Sequence, residues 1–402
     1  MSWLAIASLA SLVGLVLAVG LAAVLRNRRY ATFVGVLLSI HTLLALTMAP
    51  YFVRVWPLWA VLQGAVYVHF TLLAKPQMRP LWYRVLVSIP AAFFTAGTLL
   101  SLPWAIATGF GFHVWVPWLP YALALVGIAQ SLVTREEEID VALTREHVVG
   151  LRRHPRGKVR GDRPLRVVQI TDPHLGPFMS VARLRAICAR AVVRKPDLIF
   201  LTGDFLTMES QSNPQLLVDA LAPLRAMEGR VFACNGNHDH EAPQTVKQGL
   251  DSAGVKLLVD DAAEIETEAG LVQIVGMDFA WRDRAARMAE VCARHPRKDG
   301  ALRVVLLHDP GAFRELPVGE GDLVLSGHTH GGQVGLFSLG LPWTFLSLFA
   351  KSFPDHGLWA RGPDRLYVHR GTGHYGFPLR VGVPGEESLL RIHLERAVAP
   401  GG

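Results

Sequence analysis

The first 134 residues contain seven Lys or Arg and no Asp or Glu. A soluble domain carries about a quarter charged residues, so this stretch is not a soluble surface wrapped around a core. It holds five long apolar runs instead, near 3–25, 31–52, 56–74, 85–108 and 113–133. A helix needs roughly 20 mostly apolar residues to cross a bilayer. The expectation is an N-terminal α-helical membrane module of about five spans over 1–134. The first run is uncharged from Trp3 to Leu25. It is too long, with too few basic residues ahead of it, for a cleaved signal peptide. Arg28-Arg29 follows that complete span, so it is not read as a twin-arginine export signal.

The basic residues set an expected orientation. They cluster after run one (Arg26, Arg28, Arg29), after run three (Lys75, Arg79, Arg84) and after run five (Arg135, Arg152, Arg153, Arg156, Lys158, Arg160). The loop after run two has only Arg54 and the loop after run four has none. That alternation is the positive-inside pattern. It implies a multi-pass protein of the cell (inner) membrane, with the N-terminus outside and the C-terminal domain in the cytoplasm. Trp56, Trp59, Trp82, Trp104, Trp115 and Trp118 lie near run ends, as an aromatic belt does. His41, His69 and His113 have no carboxylate partner in the module. They are read as packed or interfacial side chains rather than a transport path.

The net charge of +7 comes wholly from this first third, because the remainder holds 33 basic and 33 acidic residues. A high isoelectric point therefore gives no reason to expect a nucleic-acid partner. Three scattered cysteines, Cys188, Cys234 and Cys292, exclude a disulfide scaffold and a Cys-rich zinc module.

Residues 135–163 read as a strand, Val141 to Leu151, and a basic linker. From 164 to 398 short β-branched runs alternate with helical periodicity. LRVVQIT (165–171), DLIFLT (197–202), RVFACN (230–235), LRVVLLH (302–308), DLVLSG (322–327), RLYVHR (365–370) and SLLRIHL (388–394) read as strands. Helices are expected over 181–193, 213–227, 243–253 and 282–295. That is more strand than a single doubly wound sheet needs, so two packed sheets flanked by helices are expected.

Five apolar strands end in Asp172-Pro173-His174, Gly203-Asp204, Gly236-Asn237-His238-Asp239, His308-Asp309 and Gly327-His328-Thr329-His330. Ligands of α/β sheets gather beyond the carboxyl ends of the strands. Several buried carboxylates at one place are costly unless compensated. One or two divalent cations would neutralise them and use the imidazoles. Oxygen and nitrogen donors without a thiolate suit Mn, Fe or Zn.

Each element alone has a bland reading as a surface turn. In this order, D-x-H … G-D … G-N-H-D … H … G-H-x-H resembles the calcineurin-like metallophosphoesterase superfamily over about 138–398. Gly-His-Thr-His-Gly-Gly-Gln (327–333) and the Phe-Pro-Leu-Arg that ends at Arg380 are similar to its bacterial membrane-associated subgroup. The resemblance implies a four-layer α/β/β/α sandwich with two divalent metal ions. It implies one ion on Asp172, His174, Asp204 and His330, and the other on Asp204, Asn237, His308 and His328. Asp204 and a nucleophilic water would bridge them. His238, beside a ligand but not needed as one, is the candidate to face the phosphate as acid or transition-state stabiliser. Asp239 is grouped with it, chiefly in an orienting role. Arg380 and His374 are candidate contacts for substrate phosphate.

Two features carry less. Gly371 to Gly376 matches G-x-G-x-x-G but precedes no helix-like stretch, against a dinucleotide site. Cys234, inside a strand, is read as a packed thiol. Val334–Ala350 is seventeen residues without a charge. It is either a core-covering loop or an apolar patch that meets the bilayer or acyl chains. The sequence thus points to a membrane-anchored phosphoesterase cleaving a phosphodiester or pyrophosphate, with a lipid-linked substrate such as UDP-diacylglucosamine as one candidate. The rival readings are a phosphomonoesterase or protein phosphatase on soluble substrates, and a non-catalytic metal-binding membrane receptor.

Overall fold

The computed structural model describes residues 2–143, 146–154, 163–376 and 380–394. The basic segment at 155–162 and the C-terminal end of the expected 164–398 domain lie outside the described residues. The chain divides into two compact units. The first holds the residues up to Leu132 together with Met208–Ser212, and the second holds most of the remainder.

The first unit contains α1 (Trp3–Leu25), α2 (Arg28–Met48), α3 (Trp56–Leu72), α4 (Leu81–Leu100), α5 (Leu102–Gly109) and α6 (Leu119–Ser131). Ser2 and Asn27 cap α1 and α2, their side chains accepting from Ala5 N and Tyr30 N, so polar caps mark where apolar runs begin. Helical structure continues from Arg28 to Leu72 through a 3₁₀ stretch, Ala49–Val55, with a kink at Phe52. This is not one long rod. His41 Nε2 lies 3.0 Å from Gln63 Oε1 and Thr42 Oγ1 2.6 Å from Tyr67 OH, whereas 22 residues of straight helix span roughly 33 Å. So the chain reverses between α2 and α3, and both helices pack on α1.

The expected run 85–108 is broken. A π-helical turn at Arg84–Ser88 precedes Pro90, and the helix ends at Leu100 before Pro103 starts the next. Proline has no N–H to give the previous turn and its ring crowds the carbonyl four residues back. The run 113–133 condenses to a helix of 13 residues. Among the described residues, Trp3–Leu25, Arg28–Leu72 and Leu81–Leu100 are the helical stretches long and apolar enough to cross a membrane. Their outer faces expose Val24, Leu43, Val61 and Leu86, side chains that water would disfavour. Arg26 donates to Gln211 (3.1 Å) and the Ser212 hydroxyl to Pro76 O (2.6 Å), tying Met208–Ser212 into this unit.

The second unit is mixed α/β. Its strands are β1 (Thr134–Leu143), β2 (Val148–Arg153), β3 (Leu165–Ile170), β4 (Leu198–Leu201), β5 (Val231–Ala233), β6 (Lys256–Leu257), β7 (Asp261–Thr267), β8 (Gly270–Met277), β9 (Leu302–Leu307), β10 (Leu323–Ser326), β11 (Gly357–Gly362), β12 (Asp364–Val368) and β13 (Gly385–Leu394). Its helices are α7 (Val181–Val193), α8 (Gln215–Leu221), α9 (Pro243–Ser252), α10 (Arg284–Arg294) and the short α11 (Phe345–Phe349). One sheet runs β1-β13-β3-β4-β5-β6 and the other β2-β11-β12-β10-β9-β8-β7. The single strand expected over Val141 to Leu151 is two strands, β1 and β2, each at the edge of a different sheet. β11 went unnoticed in the sequence; its Gly357 and Gly362 and its Trp-Ala-Arg centre carry no apolar run. Helix 213–227 stops at Leu221 because Pro223 turns the next segment to 3₁₀.

Side chains alternate across β3 and β4 as the two-residue period requires. Val168, Ile170, Ile199 and Leu201 pack with Leu184, Ile187 and Cys188 of α7 and with Leu217 and Leu250. Val167, Leu198 and Phe200 point the other way, into a cluster with Ile274 of β8, Val304 and Leu306 of β9 and Leu323 and Leu325 of β10. Val305 and Leu307 join Met288 and Val291 of α10. Both faces of the central strands are therefore largely apolar, and the candidate metal donors stand at their ends.

One buried charge cluster ties β12 of one sheet to β13 of the other near that end. Tyr367 OH donates to Glu386, Arg370 N donates to Glu386 at 3.2 Å and Arg370 Nε lies 3.4 Å from it. Gly371 N donates to His369 Nδ1, and Thr372 N to Thr171 O, so the cluster holds the segment beside Asp172. Burial pushes the Glu386 carboxyl up, but the His369 and Arg370 charges and the Tyr367 hydroxyl outweigh it and hold it at about 2. A depressed carboxyl stabilises the fold above its unfolded value, near 4.5, and that contribution disappears as pH falls toward 2. Glu386→Gln is expected to cost about 3 kcal/mol at pH 7, since one partner of a buried charge group is lost. It should also flatten the fall in melting temperature between pH 4.5 and 2. Parallel melting curves for the two proteins across that window would contradict the assignment.

Candidate metal centre

The strand ends converge on two groups of donors in the second unit. Asp172, His174 and His330 form one and Asp204, His308 and His328 the other, with the ligand atoms of each group within 4.8 Å of one another. A single oxygen links the two. Asp204 Oδ2 lies 3.6 Å from His174 Nε2 and 3.3 Å from His308 Nε2. Asp172 Oδ1 lies 3.5 Å from His330 Nε2. All seven sequence candidates except Asn237 fall in these groups, and Asn237 sits immediately before His238, whose N–H donates to Asp204 Oδ1 at 2.9 Å.

The backbone is bent to present them. Asp172, His174, Asp204, His328 and His330 all have φ between +46° and +68°. Left-handed backbone is unfavourable for residues with a Cβ and persists where surrounding structure enforces it, most often at functional sites. Here the flanking glycines allow close approach more than turning. A Cβ on Gly236 would lie 2.2 Å from Asp204 Oδ1, and one on Gly327 2.2 Å from Asp172 Oδ2.

Supporting hydrogen bonds aim the donors. His308 Nδ1 is 2.7 Å from Thr202 O, which leaves Nε2 facing the cluster and sets the tautomer a ligand needs. His328 N donates to both oxygens of Asp172, at 3.1 and 3.0 Å, and the Thr171 hydroxyl donates to Oδ2 at 2.8 Å. Gln169 Nε2 donates to Thr202 Oγ1 and Ser326 O, stitching β3 and β4 of one sheet to β10 of the other at the floor of the site. Gln169 was not singled out in the sequence, where it is one polar residue inside a strand.

Asp239 joins the Asp204 turn to the turn that carries Asn237 through backbone N–H groups. It is buried, and its carboxylate accepts from Asp204 N (2.7 Å), Phe205 N (2.9 Å) and Gly236 N (2.7 Å). Burial and the Asp204 charge push its carboxyl up to about 7 against those three donors. It locks the Asp204 turn to the Asn237 turn. His238 differs: it is partly exposed, its ring centroid is 5.6 Å from that of His174, and its Nδ1 is 2.7 Å from Glu241 Oε1. Burial disfavours charge on His238, but the Glu241 bond and the Asp204 charge prevail and its pKa is raised. Glu241 escaped notice in the sequence; its signal is the helical-turn spacing of three in His-Asp-His-Glu.

His374 is buried with its ring 5.0 Å from Phe178, one residue after Gly373 N bonds to Asp172 O. Arg380 is buried and groups with the first unit; residues 377–379 before it lie outside the described residues. Cys234 is fully buried, and burial drives its thiol well above the ordinary range, consistent with a packed side chain.

The donor set fits divalent cations. Burial opposes charge at both Asp204 and His308, yet their attraction holds the Asp204 carboxyl below its usual range and pushes His308 up to about 10. Burial holds His174 down to about 3, so it is neutral and able to ligate. Asn237 Oδ1 is buried with no hydrogen-bond partner. A buried amide oxygen left without a donor is rare in proteins, and a cation is a natural partner for it.

Residues 165–332 match the calcineurin-like phosphoesterase family model. The chain is 32% identical over 235 residues to phosphodiesterase YaeI of Escherichia coli (strain K12), covering 57% of this chain and 82% of that protein. It is also 32% identical over 235 residues to a metallophosphoesterase of Aquifex aeolicus (strain VF5), covering 57% and 85%. A transmembrane protein with metallophosphoesterase domain from Danio rerio is 29% identical over 249 residues, 58% of this chain and 54% of that one. The chain belongs to the calcineurin-like metallophosphoesterases. It is a metal-dependent phosphoester hydrolase, and the apolar N-terminal helices fit association with a membrane.

Proposed function

We propose that this protein is a multi-pass phosphodiesterase or pyrophosphatase of the inner membrane that acts at the cytoplasmic face on a lipid-linked substrate. In this reading residues 1–134 form the membrane module, with about five crossings; 135–163 lead into the catalytic domain, and 164–398 form it as a four-layer sandwich. The apolar clusters on both faces of each sheet support the layering. The basic residues after runs one, three and five support the orientation.

Asp172, His174, Asp204 and His330 would hold one divalent ion, and Asp204, Asn237, His308 and His328 the second. Bound there, the ions would supply acidification of water and neutralisation of phosphoryl charge. Mn is the ion to test first. Asp239 keeps the two turns in register. His238, oriented by Glu241, carries a proton at Nε2 for the leaving oxygen.

The observation that carries the lipid substrate is the segment after His330. Leu339, Trp343, Phe345, Leu348 and Phe349, all within eleven residues of one segment, are exposed by 54–78%, and exposed apolar side chains gathered in this way mark a membrane or ligand contact. The segment is tied to the ligand turn rather than trailing free. Asp355 accepts from Thr344 Oγ1 (2.5 Å) within the segment, and its carbonyl accepts from Thr329 Oγ1 (2.6 Å) between His328 and His330. Purified Mn²⁺-loaded protein should hydrolyse nucleotide-linked or phosphodiester lipids faster than a soluble aryl phosphomonoester. Trp343→Ser with Phe349→Ser should lower lipid turnover about tenfold and leave a soluble aryl phosphodiester unaffected. Faster turnover of the monoester than of any lipid would replace this reading with the soluble-substrate one. The orientation is tested separately: a C-terminal alkaline-phosphatase fusion should be inactive, and an active one reverses it.

A further inference from the structure

α1 and α3 run side by side in the same direction. Trp3 meets Trp59, Ser11 accepts from Gln63, and Gly14 lies against Tyr67, at a nearly constant offset along the two helices. Between them is a cavity of about 420 Å³, within the range of small-ligand sites. It exists because the walls are small. Ala7, Ala10, Ala60 and Gly64 line it, and a Cβ on Gly64 would meet nothing within 4 Å.

The cavity has a chemical gradient. Trp3, Trp56 and Trp59 line it at the N-terminal ends of both helices, and indoles at helix ends prefer the bilayer interface. Further along the helices, Gln63 Nε2 donates to Tyr67 OH (2.7 Å) and Ser11 Oγ (3.3 Å), while Gln63 Oε1 is 3.0 Å from His41 Nε2. These contacts satisfy the Gln63 amide. The Trp59 indole does not join them. Trp59 is 4% exposed, yet its Nε1–H has no hydrogen-bond partner. A buried donor without an acceptor is costly, and this one belongs to a residue lining an open cavity.

We propose that this groove is a phospholipid site, occupied by one acyl chain of a glycerophospholipid whose ester carbonyl accepts from Trp59 Nε1. The surrounding helix faces carry exposed Leu9, Leu12 and Leu17, so hydrocarbon is the phase that supplies the occupant. A chain lying along Ala7, Ala10 and Gly64 brings an ester to the level of the indoles. The site rests on the proposed membrane placement of these helices but not on what the hydrolase cleaves.

The test uses the full chain in mild detergent, delipidated and then titrated with palmitoyl-oleoyl phosphatidylglycerol, read by native mass spectrometry. One lipid should be retained per protein at low excess. Gly64→Phe, whose Cβ meets nothing within 4 Å and whose ring occupies the groove, should weaken retention at least tenfold. Trp59→Phe, which keeps the ring against Trp3 and Phe94 but lacks the N–H, should weaken it several-fold. Gly20→Phe puts the same bulk in open space on α1, outside the groove, and should retain lipid like the parent. Equal retention by Gly64→Phe and the parent, or detergent alone in the parent, overturns the proposal. Turnover of a soluble aryl phosphodiester, measured in parallel, verifies that each variant is folded and separates failure of the lipid site from failure of the hydrolase reading.

Discussion

Asp204→Ala is expected to lower turnover of any phosphoester at least about a thousandfold, the kinetic equivalent of the several kcal/mol that metal charge contributes to phosphoryl transfer. The reason is geometric. Asp204 Oδ2 is the atom close to both His174 and His308, so its loss removes a donor from each candidate ion at once. Asp204→Asn keeps the volume and can still accept from His238 N, but it lacks the charge, and it should fail nearly as badly. Elemental analysis should find fewer than two transition ions per chain in both variants, against two in the parent. Full metal content with normal turnover in Asp204→Ala would remove the bridging role and the dinuclear site with it.

The site was more legible in the sequence than the framework around it, for a physical reason. Ligand donors must be Asp, His or Asn, and they must stand where apolar strands end, so Asp172, Asp204, His308 and His330 interrupt β-branched runs conspicuously. The buried helix α7 was equally plain because Leu184, Ile187, Cys188 and Ala191 repeat at helical spacing. The edges were not. β1 begins Thr-Arg-Glu-Glu-Glu and pairs with β13 along Thr134–Leu143, a register that no local pattern announces. β11 earns its place only by lying between β12 and β2. The helical ends in the first unit depended on Pro90 and Pro103, whose effect on 85–108 can be anticipated as a break but not located to a residue. Supporting residues were least visible: Gln169 and Glu241 act through one hydrogen bond or two, and only the folded chain brings those partners near.

His238→Ala separates chemistry from metal binding. The ring is not among the two donor groups, so both ions should remain bound, whereas turnover should fall about 10²- to 10⁴-fold, the usual contribution of a positioned general acid. His238 Nδ1 faces Glu241, which leaves Nε2 to face a leaving oxygen. Because the Glu241 bond raises the pKa of His238, the protonated form persists to higher pH, and activity that needs this proton falls as pH rises through that value. Glu241→Gln removes the charge, lowers the pKa, and should move the alkaline limb of kcat toward acid while sparing metal content. A substrate whose leaving group needs no proton, such as a nitrophenyl ester, should be hurt far less by His238→Ala than an alkyl ester. Parallel loss of metal and turnover in His238→Ala, or an equal penalty on both leaving groups, would make the histidine a structural element of the site and not its acid.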